Sequence, residues 1–398
     1  MSILEINAPY DDQIIGSIKT VDGPAIEAML SSAHSLFSDR SSWIKKSKRI
    51  EILRRVAEII RERRESIAVC AAQEGGKPLL DSLVEVDRAA DGVECCIEEL
   101  RSTGGNVIPM QLDQNSESRV AFTQLEPIGV VVAVSAFNHP FNLIVHQVAP
   151  AIAAGCPVLV KPAASTPLSC KTFIEILQEA GLPAGWAQIV IPEHTELATE
   201  LVSDPRVSFF SFIGSSRVGW MLKSKLSPGT RCALEHGGVA PVIIAKDADI
   251  EDAITRIAKG GFYHAGQVCV SVQRVFCDET IVHIFADKLA QAAQKLKVGD
   301  PTDIETEVGP LINARECQRV ADWVAEASKG GAIIKAGGNK LSDTCYEPTV
   351  LVGASRDAKV STSEVFGPVV SIYPYSEIDN AISEANSLPV SFQAAVFT

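Results

Sequence analysis

Between residues 129 and 213, short uninterrupted apolar runs alternate with helix-like segments. Residues 129–137, 158–161, 187–191 and 207–213 read as strands, and 143–154, 166–181 and 195–202 as helices. A strand with one wet face alternates apolar and polar residues. Val158-Leu159-Val160 does not, so both of its faces must be covered. A helix between successive strands makes each connection a crossover, and the resulting sheet parallel. Gly155 fits a stop after the first helix. Thr166-Pro167 fits a cap followed by proline in the first turn of the next.

A second α/β run follows a boundary near 236–240. Its strands are predicted at 241–245, 274–277, 332–335 and 369–373, and its helices at 250–263, 281–296, 314–329 and 378–387. Upstream, Ile50, Leu53, Val56, Ile60, Ile67 and Cys70 predict one long amphipathic helix over 47–72, stopped by Gly75-Gly76, with its basic residues on the solvated face. Residues 118–126 alternate apolar and polar, as a half-exposed strand does. A length of 398 residues predicts two or three domains.

Composition excludes several classes of function. A net charge of −13 argues against a polyanion binder, so no nucleic-acid partner is expected, although a local basic pocket for one nucleotide remains open. No apolar run reaches membrane-spanning length, and the first ten residues lack the features of a signal peptide. The ten cysteines form no C-x-x-C pair. No metal site is expected, and the thiols fit a reducing cytoplasm.

Six clusters carry chemistry. Cys269 lies in F-Y-H-A-G-Q-V-C-V-S (262–271) and Glu235 in L-E-H-G-G (234–238). A thiol among small residues reaches a carbonyl, and a carboxylate beside a Gly-Gly turn activates a thiol or a water. The bland alternative is a buried structural cysteine and a surface glutamate. Asn138 in F-N-H-P-F-N (137–142) follows a strand, where its amide could hold an oxyanion, or simply form a turn. Lys161 in V-L-V-K-P (158–162) ends a parallel strand, where open α/β sheets bind ligands; otherwise it is a loop lysine. Gly214, Ser215 and Gly219 in F-I-G-S-S-R-V-G (212–219) sit between strand and helix and could present N–H groups to a pyrophosphate. Glu364 and Phe366 precede a Gly-Pro turn in E-V-F-G-P-V-V (364–370).

Taken in chain order, the clusters resemble the NAD(P)-dependent aldehyde dehydrogenase superfamily. The similarity rests on F-N-x-P, K-P, G-S-x-x-x-G, E-x-G-G, G-Q-x-C and E-x-F-G-P, and extends through E-G-G-K-P (74–78), V-G-D-P (298–301) and Y-E-P-T-V (346–350) over nearly the whole chain. The resemblance implies an α/β fold with a Rossmann-like dinucleotide-binding domain (1–103 and 127–236), oligomerisation strands (104–126) and an α/β catalytic domain (237–398). It implies oxidation of a small-molecule aldehyde to a carboxylate with NAD or NADP, in a homodimer or homotetramer.

The resemblance also implies residue roles. Cys269 matches the nucleophile, Glu235 the base that activates the deacylating water, and Asn138 with the Cys269 N–H the oxyanion hole. Lys161 matches a contact to the adenosine ribose, Gly214 and Ser215 contacts to the pyrophosphate, Glu364 the acceptor for the nicotinamide ribose hydroxyls, and Phe366 a residue beside the nicotinamide. A carboxylate at 235 favours hydrolysis over transfer to coenzyme A. Ala164 stands where relatives strict for NAD often carry Glu, so NADP should be tolerated. His139 and His146 suit a small polar or anionic aldehyde, or serve local packing.

Relatives continue past the apolar segment that ends at Thr398, so a catalytic domain truncated there is expected, with an unpaired strand edge over 390–397. Two other readings stay open: a non-catalytic truncated paralogue or fragment, and a cysteine esterase. An esterase has no use for a dinucleotide site.

Overall fold

The computed structural model describes residues 2–390 and 392–398. The chain opens with the hairpin β1 (Ile3–Asn7) and β2 (Ile14–Lys19). Helix α1 (Gly23–Ser38) follows, its first turn capped by the Asp22 carboxylate, which accepts from the Ala25 N–H at 2.9 Å. The long helix predicted over 47–72 is two helices, α2 (Lys46–Glu62) and α3 (Arg64–Gly75). Arg63, at φ −106° and ψ 16°, leaves the helical region between them. Across the bend both helices pack on the later helices Leu79–Ser102 and Pro167–Glu179, and α2 also packs on Asn142–Ala154. Gly76, at φ +72°, stops α3 as expected from its freedom in the left-handed region.

Residues 79–102, to which the sequence reading assigns no element, form α4 (Leu79–Ser102). The segment 104–126 contains only the two-residue strands β3 (Val107–Ile108) and β4 (Ala121–Phe122). The half-exposed strand predicted over 118–126 is therefore mostly loop. Val120, Phe122 and Leu125 are exposed, so the alternation there does not mark a buried face.

The first large sheet is wholly parallel, in the order β7-β6-β5-β8-β9. Its strands are β5 (Val130–Val134), β6 (Val158–Lys161), β7 (Ala187–Ile189), β8 (Val207–Ile213) and β9 (Arg231–Glu235). The crossovers include α5 (Asn142–Ala154), α6 (Pro167–Glu179) and α7 (Thr195–Ser203), with α8 (Ser216–Lys223) leading to β9. Val131 and Ala133 join the core with α2, α4, α5 and α6, while Val130 and Val132 join the core on the opposite face. That two-sided burial is why the strand shows no polar alternation. Thr166 does not cap α6 with its side chain. Its place is taken by buried Glu74, whose carboxylate accepts from the Leu168 and Ser169 N–H groups at 2.8 Å each.

The second sheet has the order β12-β13-β14-β11-β10-β15. It comprises β10 (Pro241–Ile244), β11 (Arg274–Asp278), β12 (Ile333–Ala336), β13 (Thr349–Val352), β14 (Val369–Tyr375) and β15 (Ala395–Phe397). Only β12 runs antiparallel to its neighbour. The strand expected over 390–397 is restricted to β15, which pairs with β10; Ser391 lies outside the described residues. The helices are α9 (Ile250–Phe262), α10 (Val282–Lys295), α11 (Ala314–Lys329), α12 (Lys359–Thr362) and α13 (Ile378–Ala385). Asp249 and Asn313 cap α9 and α11.

Candidate active site

The strand ends of the first sheet and two loops of the second meet at a cavity of about 440 Å³. Its wall includes Asn138, Lys161, Gly214, Ser215, Glu235, Cys269, Glu364 and Phe366, gathered from residues up to 228 positions apart. Gly219 and Ala164 are not in that wall. Ala164 is exposed, next to the lining residue Ala163. Gly219 donates its N–H to the Ser215 carbonyl inside α8. A side chain there would strike the His236 and Phe212 rings, so its smallness serves packing rather than ligand contact.

Parallel pairing explains how Glu235 arrives. β8 and β9 pair Ile213 with Glu235, and the Gly214 N–H donates to the Glu235 carbonyl at 3.0 Å. This bond occupies the Gly214 N–H, contrary to the expectation that it would face a pyrophosphate. The N–H groups of the first turn of α8 remain directed out of the helix start.

Cys269 lies just beyond a strained turn. His264 and Ala265 adopt φ of 51° and 52°, and Gly266 follows at 67°. Non-glycine residues pay in strain for that region, and such strain concentrates where a loop must be aimed. A Cβ at Gly266 would collide with the Gly367 carbonyl, so this glycine permits the nucleophile loop to lie against the loop of Glu364 and Phe366. Phe366 is itself at φ 46°, and its ring meets Phe137 edge-on at 5.7 Å.

Gln267 fixes the loop from beneath. Its side-chain oxygen accepts from the Ile312 N–H at 2.9 Å, and its amide donates to the His264 and Pro310 carbonyls. Its backbone carbonyl accepts from the Asn138 amide at 2.9 Å. An amide NH₂ has two hydrogens, so Asn138 is held by one and keeps the other for the cavity.

Residues 74–77 support three walls at once. Glu74 holds the start of α6, directly after the Lys161 loop. Gly76 packs on Pro310 with no room for a side chain. Buried Lys77 pairs with Glu85 at 2.9 Å, and the other Glu85 oxygen accepts from the Phe141 and Asn142 N–H groups.

Electrostatics set the resting state. Burial pushes the Cys269 thiol up to about 11, with the negative charges of Glu235 and Glu364 adding to the effect. At pH 7 only about one thiol in ten thousand is then ionised. Burial likewise raises Glu364 to about 7. Its Oε1 is buried without a partner, an acceptor suited to a hydroxyl. Burial lowers Lys161, whose ammonium reaches, among the described residues, only the Pro162 carbonyl at 3.2 Å. A lone acceptor, a desolvated cation, a helix start and an apolar wall of Phe212, Val218 and Phe366 fit a dinucleotide.

The sequence reading missed Ser135 and His236. Ser135 Oγ is buried in the cavity wall without a partner among the described residues. Its position just after β5 was the available signal, since ligands bind beyond the carboxyl ends of parallel strands. His139 lines the cavity, its ring edge-on to buried His264 at 6.2 Å, and burial holds it well below the usual range. His146 is exposed. Among the described residues no group of side chains could hold a metal ion, and no helix is long and apolar enough to cross a membrane.

A model described as the aldehyde dehydrogenase family matches residues 2–398. The chain belongs to the aldehyde dehydrogenase family. It is 38% identical over 395 residues to 3-sulfolactaldehyde dehydrogenase of Priestia aryabhattai, covering 99% of this chain and 82% of that protein. The fold matches aldehyde dehydrogenase 21 from Physcomitrella patens, in complex with the reaction product succinate, with a TM-score of 0.95 and 32% identity, over 100% of this chain and 82% of that one. It also matches glyceraldehyde-3-phosphate dehydrogenase GapN from Methanocaldococcus jannaschii, complexed with NADP, with a TM-score of 0.93 and 32% identity, over 99% and 85% of the two chains. NAD(P)-dependent oxidation of an aldehyde to a carboxylate is the activity of this family member. The esterase and non-catalytic readings find no support in these similarities.

Proposed function

We propose that Cys269 is the nucleophile and Glu235 the hydrolytic base of this dehydrogenase. The observation that carries the reading is the convergence of Cys269, Glu235 and Asn138 in one cavity with Lys161 and Glu364. Cys269 Sγ attacks the aldehyde carbon and its proton passes to water, giving a tetrahedral thiohemiacetal oxyanion. The free Asn138 N–H and the Cys269 backbone N–H hold the oxygen as charge develops on it. NAD or NADP, when bound, supplies the acceptor for the hydride that departs from that carbon. The acyl group left on sulfur is a thioester. Glu235 takes a proton from water, the hydroxide adds to the thioester carbonyl, and the C–S bond breaks as the sulfur takes up the proton of the nascent acid, releasing the carboxylate and the free thiol.

Lys161 and Glu364 would hold the two ribose hydroxyl sets, the first turn of α8 with Ser215 the pyrophosphate, and Phe366 the nicotinamide face. Ala164 puts no carboxylate at the pocket rim, which supports use of NADP beside NAD. Residues 1–103 and 127–236 form the dinucleotide-binding domain and 237–398 the catalytic domain, with Glu364 and Phe366 reaching the nucleotide and Asn138 and Glu235 reaching the thiol across the boundary. Val107, Val120, Phe122 and Leu125, exposed over 104–126, support assembly of copies into a dimer or tetramer through that segment. Ten free cysteines support a reducing, cytoplasmic setting. Three of the similar proteins carry in their names a compound with an anionic group, 3-sulfolactaldehyde, succinate and glyceraldehyde 3-phosphate, while others are named for uncharged lactaldehyde and cationic betaine aldehyde. His139 in the wall supports a polar aldehyde here too.

The test is Cys269→Ser. Reduced cofactor should cease to form from any aldehyde, while NADP still binds by fluorescence titration. Turnover above a few per cent of the wild-type rate would remove Cys269 from this role.

A further inference from the structure

One face of α4 packs against the segment that follows Asn138 and against α9, which leads to Cys269. Asp81, Glu85, Arg88 and Gly92 recur at spacings of four, three and four residues, so they share that face. Asp81 pairs with Lys259 at 2.6 Å, and the same ammonium lies 5.2 Å from the centre of the Tyr263 ring, six residues before Cys269. Glu85 holds the Phe141 and Asn142 N–H groups, immediately after Asn138 and His139. Gly92 lies against the His146 ring on α5. Arg88 is therefore bracketed between the loop that carries Asn138 and the ring of His146.

The acidic residues around Arg88 all have cations of their own. Asp81 has Lys259, Glu85 has Lys77, Asp87 has Arg64, and Asp91 and Glu94 share Arg61. Arg88 is exposed, and among the described residues it makes no ion pair and no hydrogen bond. In a protein of net charge −13, that leaves an uncompensated guanidinium beside the reaction chamber. Its positive charge is felt by both His139 in the cavity wall and Tyr263. His146 in turn feels the charge of Glu235, and Leu143, one turn earlier on α5, lines the cavity.

We infer that Arg88 binds a terminal anionic group of the aldehyde substrate, a carboxylate or sulfonate, with the aldehyde end directed to Cys269. A planar guanidinium offers two parallel N–H donors to such a group. Its attraction draws anionic aldehydes to the mouth of a chamber that holds two carboxylates, Glu235 and Glu364. The inference rests on the assignment of Cys269 as nucleophile.

The experiment compares aldehydes of equal chain length ending in carboxylate, sulfonate or hydroxyl, with wild type, Arg88→Gln and Arg88→Lys. Wild type should favour at least one anion over the hydroxyl by tenfold or more in kcat/KM, and the favoured anion identifies the group. Arg88→Gln should lower that ratio by 10- to 100-fold, chiefly through KM, with Arg88→Lys between the two. An unchanged ratio in Arg88→Gln, or no anion preference in wild type, overturns the inference. A second readout does not need turnover. Succinate at millimolar concentration should slow alkylation of Cys269 by iodoacetamide in wild type and lose that effect in Arg88→Gln. Equal protection of both proteins overturns Arg88 as the anion site. Absence of turnover with every aldehyde would instead count against the role of Cys269.

Discussion

The side-chain amide of Asn138 donates to the backbone carbonyl of Gln267 across 2.9 Å, tying two loops that lie 129 positions apart in the chain. The same bond aims the amide and braces the loop that carries the thiol. Asn138→Asp should therefore do more than delete a donor, because it sets a carboxylate oxygen against a carbonyl oxygen. We expect kcat to fall by about 10²–10³, the range for loss of one oxyanion donor, with NADP affinity retained. Steady-state kinetics beside a cofactor titration will check this, and a kcat within threefold of wild type would contradict it.

Gln267→Ala removes the partner of the buried Ile312 N–H and frees the Pro310 carbonyl. Leaving such groups unsatisfied costs about 1–3 kcal/mol each. Urea unfolding should show a loss of about 2–6 kcal/mol for the two groups together, and Cys269 should become more accessible to bulky alkylating agents. Unaltered stability would mean that the loop stands without this latch.

The raised thiol defines a pH dependence. A thiol whose pKa is held at about 11 gains thiolate throughout the rise from pH 7 to pH 10. Alkylation at Cys269 in the cofactor-free protein should then climb about tenfold per pH unit without a plateau below pH 10. Peptide mass spectrometry separates Cys269 from exposed Cys95. Glu235 is one of the charges that raise the thiol, so Glu235→Gln should lower its pKa and speed alkylation at pH 8. Slower alkylation in that variant would show Glu235 acting as a base on the thiol itself.

The same Glu235→Gln variant separates the two halves of catalysis. Hydride leaves before hydrolysis, so a stopped-flow trace should keep a burst of reduced cofactor followed by a steady rate slowed by about 10²-fold or more. Loss of the burst with normal hydrolysis of a preformed thioester would reverse the assignment.

Cofactor choice is tested at the rim. Ala164→Glu should move the NADP/NAD ratio of kcat/KM at least tenfold toward NAD, since a carboxylate repels a 2′-phosphate and accepts from ribose hydroxyls. A wild-type preference for NAD beyond about a thousandfold, near 4 kcal/mol, would place the control elsewhere.

Strands buried on both faces and helices ended by glycine were legible because their signals are local. Val158–Lys161, Val207–Ile213 and Ala314–Lys329 have the limits that their residues imply. Arg231–Glu235 was not legible, since a short strand with charged ends carries little pattern of its own and is specified by pairing with Val207–Ile213. The α4 helix did carry a signal, with Val86, Ala90, Val93 and Ile97 buried at helical spacing. The break at Arg63 and the substitution of Glu74 for Thr166 as a cap depend on partners far along the chain. In the site, residue types were readable but their commitments were not. Nothing in G-S-x-x-x-G reveals that the Gly214 N–H is spent on Glu235 and that Gly219 makes way for His236.

Glu74, Gly76 and Lys77 occupy one short stretch, yet they brace the start of α6, Pro310 under the nucleophile loop, and the segment after Asn138. The spacing between thiol and nucleotide is thereby set by one block of backbone, not by separate loops that drift apart. An enzyme assembled this way tolerates little independent adjustment of either half of its chemistry. Loosening residues 74–77, by heat or by a side chain at Gly76, should extinguish nucleotide affinity and thiol alignment in the same cooperative step.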